Sequence, residues 1–525
     1  MSPTPCSVSQ KTKEKKKKKG KAGKFLGEFC SVIIDKSLDG GIELEQNSVF
    51  DNFVKDLCTS LEKQNISETS IEREHVDRAI EMCLHSGYDQ HETVFNVINA
   101  FDFPKLWYNA DRKLYFLDSN KSKMLADADM KAKMFLERYS TILQRTKRNF
   151  AQYVGEDNKP QLKLQTVDYL LTLSNVTLDY TLILGSLLQV SEGKYYLEDP
   201  SGIVQLDLTH AKYHGGFFVE NSFVLVNGYY EDKILKVSTI ILPSGEEYME
   251  SRPSFGNLNY FGGLSNVPLR ESQRLKQHMI GNKSEIMFFF RCLVGPSTSF
   301  VVFEKLEILF DGVQASPPIA FVFMGNFMSE SHGSEIMDTL RKLFKKLAEL
   351  ISKYPNIVNV SQFVFVPGLT DPCTPHIVPR LPLPSCVTSE MTKILPKAIF
   401  TTNPCRLQYC TREIALFRAD IVAKLLQGTL YKPSSDEIAH CAKRTIISQG
   451  HLCPLPLNAL TVHWDFDYCL RLYPLPDVIV IGDRSEAYNG EYKGCQVVNP
   501  GSFCDGGFEF KTYTPFTNLF DDCAL

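Results

Sequence analysis

The residues best placed to do chemistry stand directly after short apolar runs. Past residues 286–290 come Arg291, Cys292 and Val294, and past 319–324 come Gly325 and Asn326. Past 363–366 lie Gly368, Leu369, Thr370 and Asp371, and past 478–481 lie Gly482, Asp483, Arg484 and Ser485. Gln449, Gly450 and His451 close an amphipathic segment. In an open α/β sheet these are the carboxyl ends of strands, where sites gather. As chemistry the set is thin: one imidazole, two carboxylates and two amides, spread over separate loops. One imidazole and one neutral amide lack the charge and ligand number for tight metal binding. Fifteen cysteines add little, since none forms a C-x-x-C pair and Cys405 and Cys410 are the nearest two. Structural zinc normally needs two close pairs, or one pair plus histidines.

The elements that must hold these loops follow from hydrophobic period. Residues 286–292, 319–324 and 363–366 are continuous apolar runs, as strands covered on both faces require. Between them 300–310 reads as helix. Residues 335–351 place Ile336, Leu340, Leu343, Phe344, Leu347, Leu350 and Ile351 on one helical face. This β-α-β-α-β order predicts a mainly parallel, two-sided sheet, with later strands at 398–401, 478–481 and 496–498. Upstream the period drops to two. Residues 181–190, 194–198, 203–208, 223–230 and 234–241 predict five short strands, and Asp199-Pro200-Ser201-Gly202 supplies turn chemistry between two of them. Five such strands in so short a stretch predict a small closed barrel of OB type. Nearer the start, 46–61, 72–84 and 89–100 have helical spacing, and a further helix is expected over 127–147.

The resulting fold class is multidomain α+β. A basic, disordered arm spans 1–44, a small helical domain 45–103 and a connector 104–160. The OB barrel spans 161–245, an extension 246–283, and an α/β domain 284–525.

Of 525 residues, 57 are basic and 61 acidic, but the net charge of −4 hides an asymmetry. Between Lys11 and Lys24 stand nine lysines and one acid, Glu14. The body is therefore acidic and a poor general binder of phosphate backbones, whose affinity comes mainly from neutralising lysines and arginines. The unbroken run Lys15, Lys16, Lys17, Lys18 and Lys19 fits a nuclear import signal, a nucleic-acid tail or a solubilising arm. No apolar leader opens the chain and no stretch is long enough to span a bilayer, so a soluble intracellular protein is expected.

The loops after 286–290, 319–324, 363–366 and 478–481, with the lone His451, resemble those of calcineurin-like metallophosphoesterases. That family holds two metals on a dense set of carboxylates and imidazoles, close enough together to activate a water. The resemblance places Cys292 and Val294 where an Asp-x-His would stand. Asn326 takes the place of the bridging aspartate, and Leu369 and Thr370 that of an Asn-His. Asp483 and Ser485 replace the last two histidines. His451 alone stands where a ligand would, with Asp371 where the acid after the histidine would. This implies a phosphoesterase sandwich that is catalytically dead, with no metal and no cofactor; for His451 the plainer reading is a hydrogen-bonded core histidine.

An OB barrel followed by such a domain resembles the B subunits of the eukaryotic replicative DNA polymerases, on their epsilon branch. The segments that carry it are Tyr195-Tyr-Leu-Glu-Asp-Pro-Ser-Gly-Ile-Val-Gln-Leu-Asp-Leu208, Asn257-Leu-Asn-Tyr-Phe-Gly-Gly263 and Phe363-Val-Phe-Val-Pro-Gly368. Phe400-Thr-Thr-Asn-Pro-Cys-Arg-Leu-Gln-Tyr-Cys410, Ile447-Ser-Gln-Gly-His-Leu-Cys-Pro-Leu-Pro-Leu457 and Val498-Asn-Pro-Gly-Ser-Phe503 complete the set. The first forty residues depart from the family, with a lysine run where helices of an N-terminal domain would be. The resemblance implies a non-catalytic nuclear subunit. Its partners would be the C-terminal region of the DNA polymerase epsilon catalytic subunit, the small histone-fold subunits of that complex, and the GINS component of the replicative helicase. DNA would be met only indirectly. Two other readings stay open. One is an active phosphodiesterase with unusual ligands. The other is an OB-fold binder of single-stranded DNA, using aromatics among Tyr195, Tyr196, Phe217, Phe218, Tyr229 and Tyr230. Against the latter stands the shortage of basic residues in the strands, where only Lys194, Lys212, Lys233 and Lys236 are found.

Overall fold

Barrel closure follows from which strands share hydrogen bonds. In the computed structural model, which describes residues 75–76, 92–153, 163–173, 178–291, 299–328, 335–372, 375–504 and 507–525, Leu178–Ser191 pairs antiparallel with Lys194–Asp199, and that strand with Gly202–Asp207. Gly202–Asp207 runs parallel to Ile234–Ile241. Phe223–Glu231 then pairs antiparallel with both Ile234–Ile241 and Leu178–Ser191, which closes the ring. Alternate residues face inward as a strand's two-residue period dictates; Ile183, Leu187, Leu197, Val204, Val224, Val226, Leu235 and Ile240 form the core. The turn at 199–202 is fixed by buried Asp199. Its carboxylate accepts from the Ser201 and Gly202 amides at 2.8 and 3.1 Å and from the Val167 amide at 2.9 Å.

The α/β domain has two mixed six-stranded sheets where the sequence period suggested one mainly parallel sheet. In the first, Ala398–Phe400, Gln362–Val366, Ala320–Met324 and Met287–Arg291 are parallel neighbours. The antiparallel hairpin of Glu509–Thr514 and Leu519–Ala524 extends it. In the second, Arg412–Phe417, Val478–Ile481 and Cys495–Val498 are parallel, with Cys405–Tyr409 and Phe95–Asn99 added antiparallel at one side and Glu491–Tyr492 at the other. The sheets face each other through one core. Met287, Phe289, Val322 and Val364 meet Leu407, Ile414, Leu416, Val478, Val480 and Val498 there. Residues of opposite parity point outward to helices. Phe288, Phe290, Phe321, Phe323, Phe363 and Phe365 pack with Ser299–Val313, Ile336–Ser352 and Ser385–Ile394. Ala415, Phe417, Ile479, Ile481 and Val497 pack with Ile421–Gly428 and Ile438–Gln449. Helices therefore cover both outer faces, which explains why the strands read as unbroken apolar runs.

Two departures from the expected elements matter. In place of the helix expected over 89–100, Phe95–Asn99 is a strand, in register with Cys405–Tyr409. Val94, Phe95, Val97 and Ile98 fit either period, and a ladder partner far along the chain decides between them. The other expected helices, 46–61 and 72–84, lie outside the described residues apart from helical His75 and Val76, as does the lysine run. The expected connector contains an unforeseen hairpin, Leu106–Asn109 with Leu114–Leu117, besides the helix expected over 127–147, which runs Asp129–Tyr153. That helix lays Ile142 against Leu182, Leu184, Phe223 and Leu225 of the barrel. Among the described residues no helix is long and apolar enough to cross a membrane.

The extension after the barrel is tied to the second sheet by charge. Arg270 bonds Glu413 at 3.2 Å and Asp477 at 2.9 Å, while Tyr260 donates to Glu413 at 2.9 Å. Glu413 is fully buried, and burial pushes its carboxyl up to about 7, with Arg270 opposing the rise and Asp477 adding to it. The folded chain therefore keeps a proton on Glu413 that the unfolded chain releases near its ordinary value of 4.5. Stability from this group should fall as pH rises from about 4.5 to about 7 and stay lower above that, by up to about 3 kcal/mol. Urea titrations of wild type and Glu413→Gln across pH 4.5–8 should differ by that slope; parallel profiles would mean the carboxyl ionises freely.

Candidate functional site

The strand ends converge on guanidinium groups. Arg418, at the end of Arg412–Phe417, is 1% exposed. Its Nε donates to the Gly325 carbonyl, and its Nη1 donates to Gly482 O and to Asp420, each at 2.9 Å. Gly325 and Gly482 immediately precede Asn326 and Asp483, so one side chain spans the ends of a strand from each sheet. Arg380, equally buried, donates to the carbonyls of Leu369, Asp371 and Pro372 in the loop after Gln362–Val366.

The acids around them are engaged by backbone. Asp371 Oδ1 accepts from the Phe327 amide and Oδ2 from the Gly368 amide, both at 2.7 Å. Burial raises its carboxyl to about 6 against the pull of those two amides, Arg380 and Arg418. Gly368 is needed here because a Cβ would collide with the Asn326 side chain, itself buried. Asp483 Oδ2 accepts from the amides of Ile421 and Val422 at 2.5 and 2.9 Å, at the start of the helix Ile421–Gly428. Its Oδ1 takes the Ser485 amide at 2.8 Å. This is the favourable position for a carboxylate against a helix dipole and its free amides. Asn499 holds the same loop by donating to the Ser485 carbonyl at 3.0 Å and hydroxyl at 3.2 Å.

Of the positions singled out from sequence, Asn326 and Asp483 each follow a glycine whose carbonyl Arg418 binds, and the Ser485 amide donates to Asp483. Thr370 is exposed on its turn. Cys292 and Val294 lie outside the described residues. His451 belongs to another cluster. It is buried, its Nδ1 accepts from the Cys453 amide at 3.0 Å, and its Nε2 lies 3.2 Å from Asp467 Oδ1. Arg138 grips the same carboxylate with both arms, at 2.9 and 2.5 Å. Burial, and then Arg138, lower the His451 pKa and keep the ring neutral. For Asp467 burial would raise the pKa, but Arg138 and His451 together hold it well below the usual carboxylate range. The triad fastens the long helix to the α/β domain. Among the described residues no three His, Cys, Asp or Glu side chains converge as a metal ion would require.

The barrel is bonded to the α/β domain through its backbone. The Gln449 side chain accepts from the Phe223 amide at 2.9 Å and donates to the Phe223 carbonyl at 2.8 Å. Phe217 N donates to the Thr445 hydroxyl at 2.9 Å, and Leu430 N to Phe218 O at 2.9 Å. Of the barrel aromatics, Phe217, Phe218 and Tyr230 are buried. Tyr229 is exposed beneath the Lys236 ammonium, 5.4 Å from the ring centre. Tyr195 lines a cleft of about 590 Å³ between the barrel and the segment 424–430.

Comparison with known proteins gives this arrangement a lineage. The family model for the DNA polymerase alpha/epsilon B subunits matches residues 290–489, and the model for the OB-fold domain of DNA polymerase epsilon subunit 2-like proteins matches 128–244. The second match takes in the long helix that covers the barrel. The human DNA polymerase epsilon subunit 2 is 38% identical over 517 residues, 96% of this chain and 95% of that protein. The Drosophila melanogaster subunit of the same name is 37% identical, covering 90% and 91%. A solved archaeal phosphodiesterase aligns with 46% of this chain and 99% of its own at 11% identity and a TM-score of 0.26. With both of its domains matched and the similarity running nearly end to end, the chain belongs to the DNA polymerase epsilon subunit 2 family.

Proposed function

We propose that this chain is a non-catalytic accessory subunit of the DNA polymerase epsilon complex, acting in chromosomal DNA replication as a scaffold that works by protein contact. The observation that carries the reading is the 38% identity across 96% of the chain to a subunit of that name. The α/β domain is a phosphoesterase scaffold without the reaction. The buried acids at its strand ends are committed to backbone amides, and Arg418 holds the convergence of the strands. His451 accepts the Cys453 amide and lies 3.2 Å from Asp467. The proposed partners are the C-terminal region of the catalytic subunit, the small histone-fold subunits and the GINS part of the replicative helicase. The lysines Lys15–Lys19 direct the chain to the nucleus.

Co-expression with the catalytic subunit of polymerase epsilon should yield a stoichiometric complex through affinity and size-exclusion steps. A well-folded chain that elutes alone would overturn the scaffold reading. The chain purified alone should contain manganese and zinc well below one equivalent and leave a chromogenic phosphodiester intact. Stoichiometric metal, with hydrolysis abolished by His451→Ala, would establish an active enzyme instead.

A further inference from the structure

Cations gather without counter-charges where the barrel meets the α/β domain. Arg444, on the helix Ile438–Gln449, packs its guanidinium against Gly215, next to His214, and lies 5.8 Å from the Tyr492 ring centre. Lys443 places its ammonium against Gly490, where a Cβ would collide with it. Lys493 runs its stem along Gly245, which also touches the Tyr492 ring. Two segments distant in sequence, the helix Ile438–Gln449 and residues 490–493, thus bring Lys443, Arg444 and Lys493 to this junction. All three are half-buried, and none forms an ion pair with a described residue. Arg444 keeps its Nε buried with no hydrogen-bond partner among the described residues. Burial lowers the Lys443 pKa with no acid to offset it.

The acids nearby are otherwise disposed. Glu437 caps its own short helix through Ser434, and Glu491 accepts from Gln496 at 3.3 Å. Glu246 is taken by both arms of Arg148. Beside His214, the rings of Tyr213 and exposed Tyr431 stack at 5.8 Å, with exposed Lys212 and Lys432 next to them in sequence.

Partly desolvated cations left without acids are a standing demand for an anion. We propose that this junction binds phosphate groups, presented by a single nucleic-acid strand or by a free oligophosphate. The strand is favoured by the flanking Tyr213–Tyr431 pair and by Tyr492, since cations interleaved with aromatic faces suit a chain of alternating phosphates and bases. The acidic charge of the whole body does not bear on it, because the screening length of about 8 Å at physiological salt makes the local balance decide. This goes beyond the scaffold reading and fails separately from it, because complex formation is measured without nucleic acid.

The test uses the full chain with all nine arm lysines, Lys11, Lys13, Lys15, Lys16, Lys17, Lys18, Lys19, Lys21 and Lys24, changed to Gln, so that the arm contributes no cation. A fluorescein-labelled oligothymidylate should bind it in low salt by anisotropy. The triple change Lys443→Glu, Arg444→Glu, Lys493→Glu should weaken binding at least about tenfold and lower the salt slope by about 2, as loss of three phosphate contacts requires. Lys342→Glu, exposed elsewhere, should change neither. Should the triple variant unfold, Lys443→Gln with Arg444→Gln should still weaken binding. If the oligonucleotide does not bind but sodium tripolyphosphate raises the melting temperature of the parent and not of the variant, the free oligophosphate is the source. No binding of either probe, equal loss from Lys342→Glu, or displacement by poly-glutamate as effective as by tripolyphosphate would overturn the proposal.

Discussion

Replacing Asp467 by alanine should cost about 3–5 kcal/mol, the usual penalty for removing one partner of a buried charge pair. The carboxylate is nearly inaccessible, and two groups depend on it: Arg138, which it receives through two bonds, and His451 at 3.2 Å. Its removal leaves a guanidinium buried and unpaired, which costs more than the pair contributes. Because the Asp467 pKa is depressed in the folded chain, its contribution is present above the ordinary carboxylate value of 3.8 and is lost as pH falls below it. The Asp467→Ala deficit, measured by urea unfolding, should therefore be full at pH 7 and shrink below about pH 4. A deficit under about 1 kcal/mol at pH 7 would place the pair in the class of exposed salt bridges and refute its structural role.

Arg418→Met should be of comparable size, about 3–5 kcal/mol, for a different reason. Methionine fills much of the same volume, so little cavity follows. What is lost are the donors to Gly325 O and Gly482 O, two buried carbonyls at the ends of strands in opposite sheets. Each unsatisfied buried group costs about 1–3 kcal/mol. Asp420 is not orphaned, since the Arg484 amide still donates to it at 3.1 Å. Arg418→Lys should recover only part of the loss, because a single ammonium cannot reproduce a planar fork that reaches two strands. Urea unfolding followed by circular dichroism gives the size. Faster amide exchange at Gly325 and Gly482 would localise it, and full recovery by lysine would show that charge alone, without geometry, is what the site needs.

What could be read from sequence divides along physical lines. Strands buried on both faces announced themselves, since Met287–Arg291, Ala320–Met324 and Gln362–Val366 admit little besides apolar residues. The hairpin Cys405–Tyr409 and Arg412–Phe417 did not. Arg406, Gln408 and Glu413 interrupt its pattern, and their partners are remote: Arg406 donates to the carbonyls of Tyr260 and Phe261, and Glu413 answers Arg270. A buried polar residue in a strand looks like a surface residue until its partner is known. The strand at Phe95–Asn99 has the spacing of a helix for the related reason that five residues carry too little period to separate the two. At the site, the places of Asn326, Asp371 and Asp483 in the loops directly after strands were legible. Arg418 and Arg380 were not, because a guanidinium is no metal ligand and leaves no mark in ligand spacing. The one sign of Arg418 is its place directly after the apolar run Ile414–Phe417, visible once that run is taken as a strand.

The ladder between Phe95–Asn99 and Cys405–Tyr409 also sets an order of events during synthesis. The two strands are separated by roughly 300 residues, which a ribosome making 5–20 residues per second needs about 15–60 s to produce. Throughout that interval the early strand has no ladder to join, and its apolar side chains and free backbone groups are open to any strand edge in reach. The α/β domain can thus complete its second sheet only late in translation. The early strand therefore waits unpaired for more than half of synthesis.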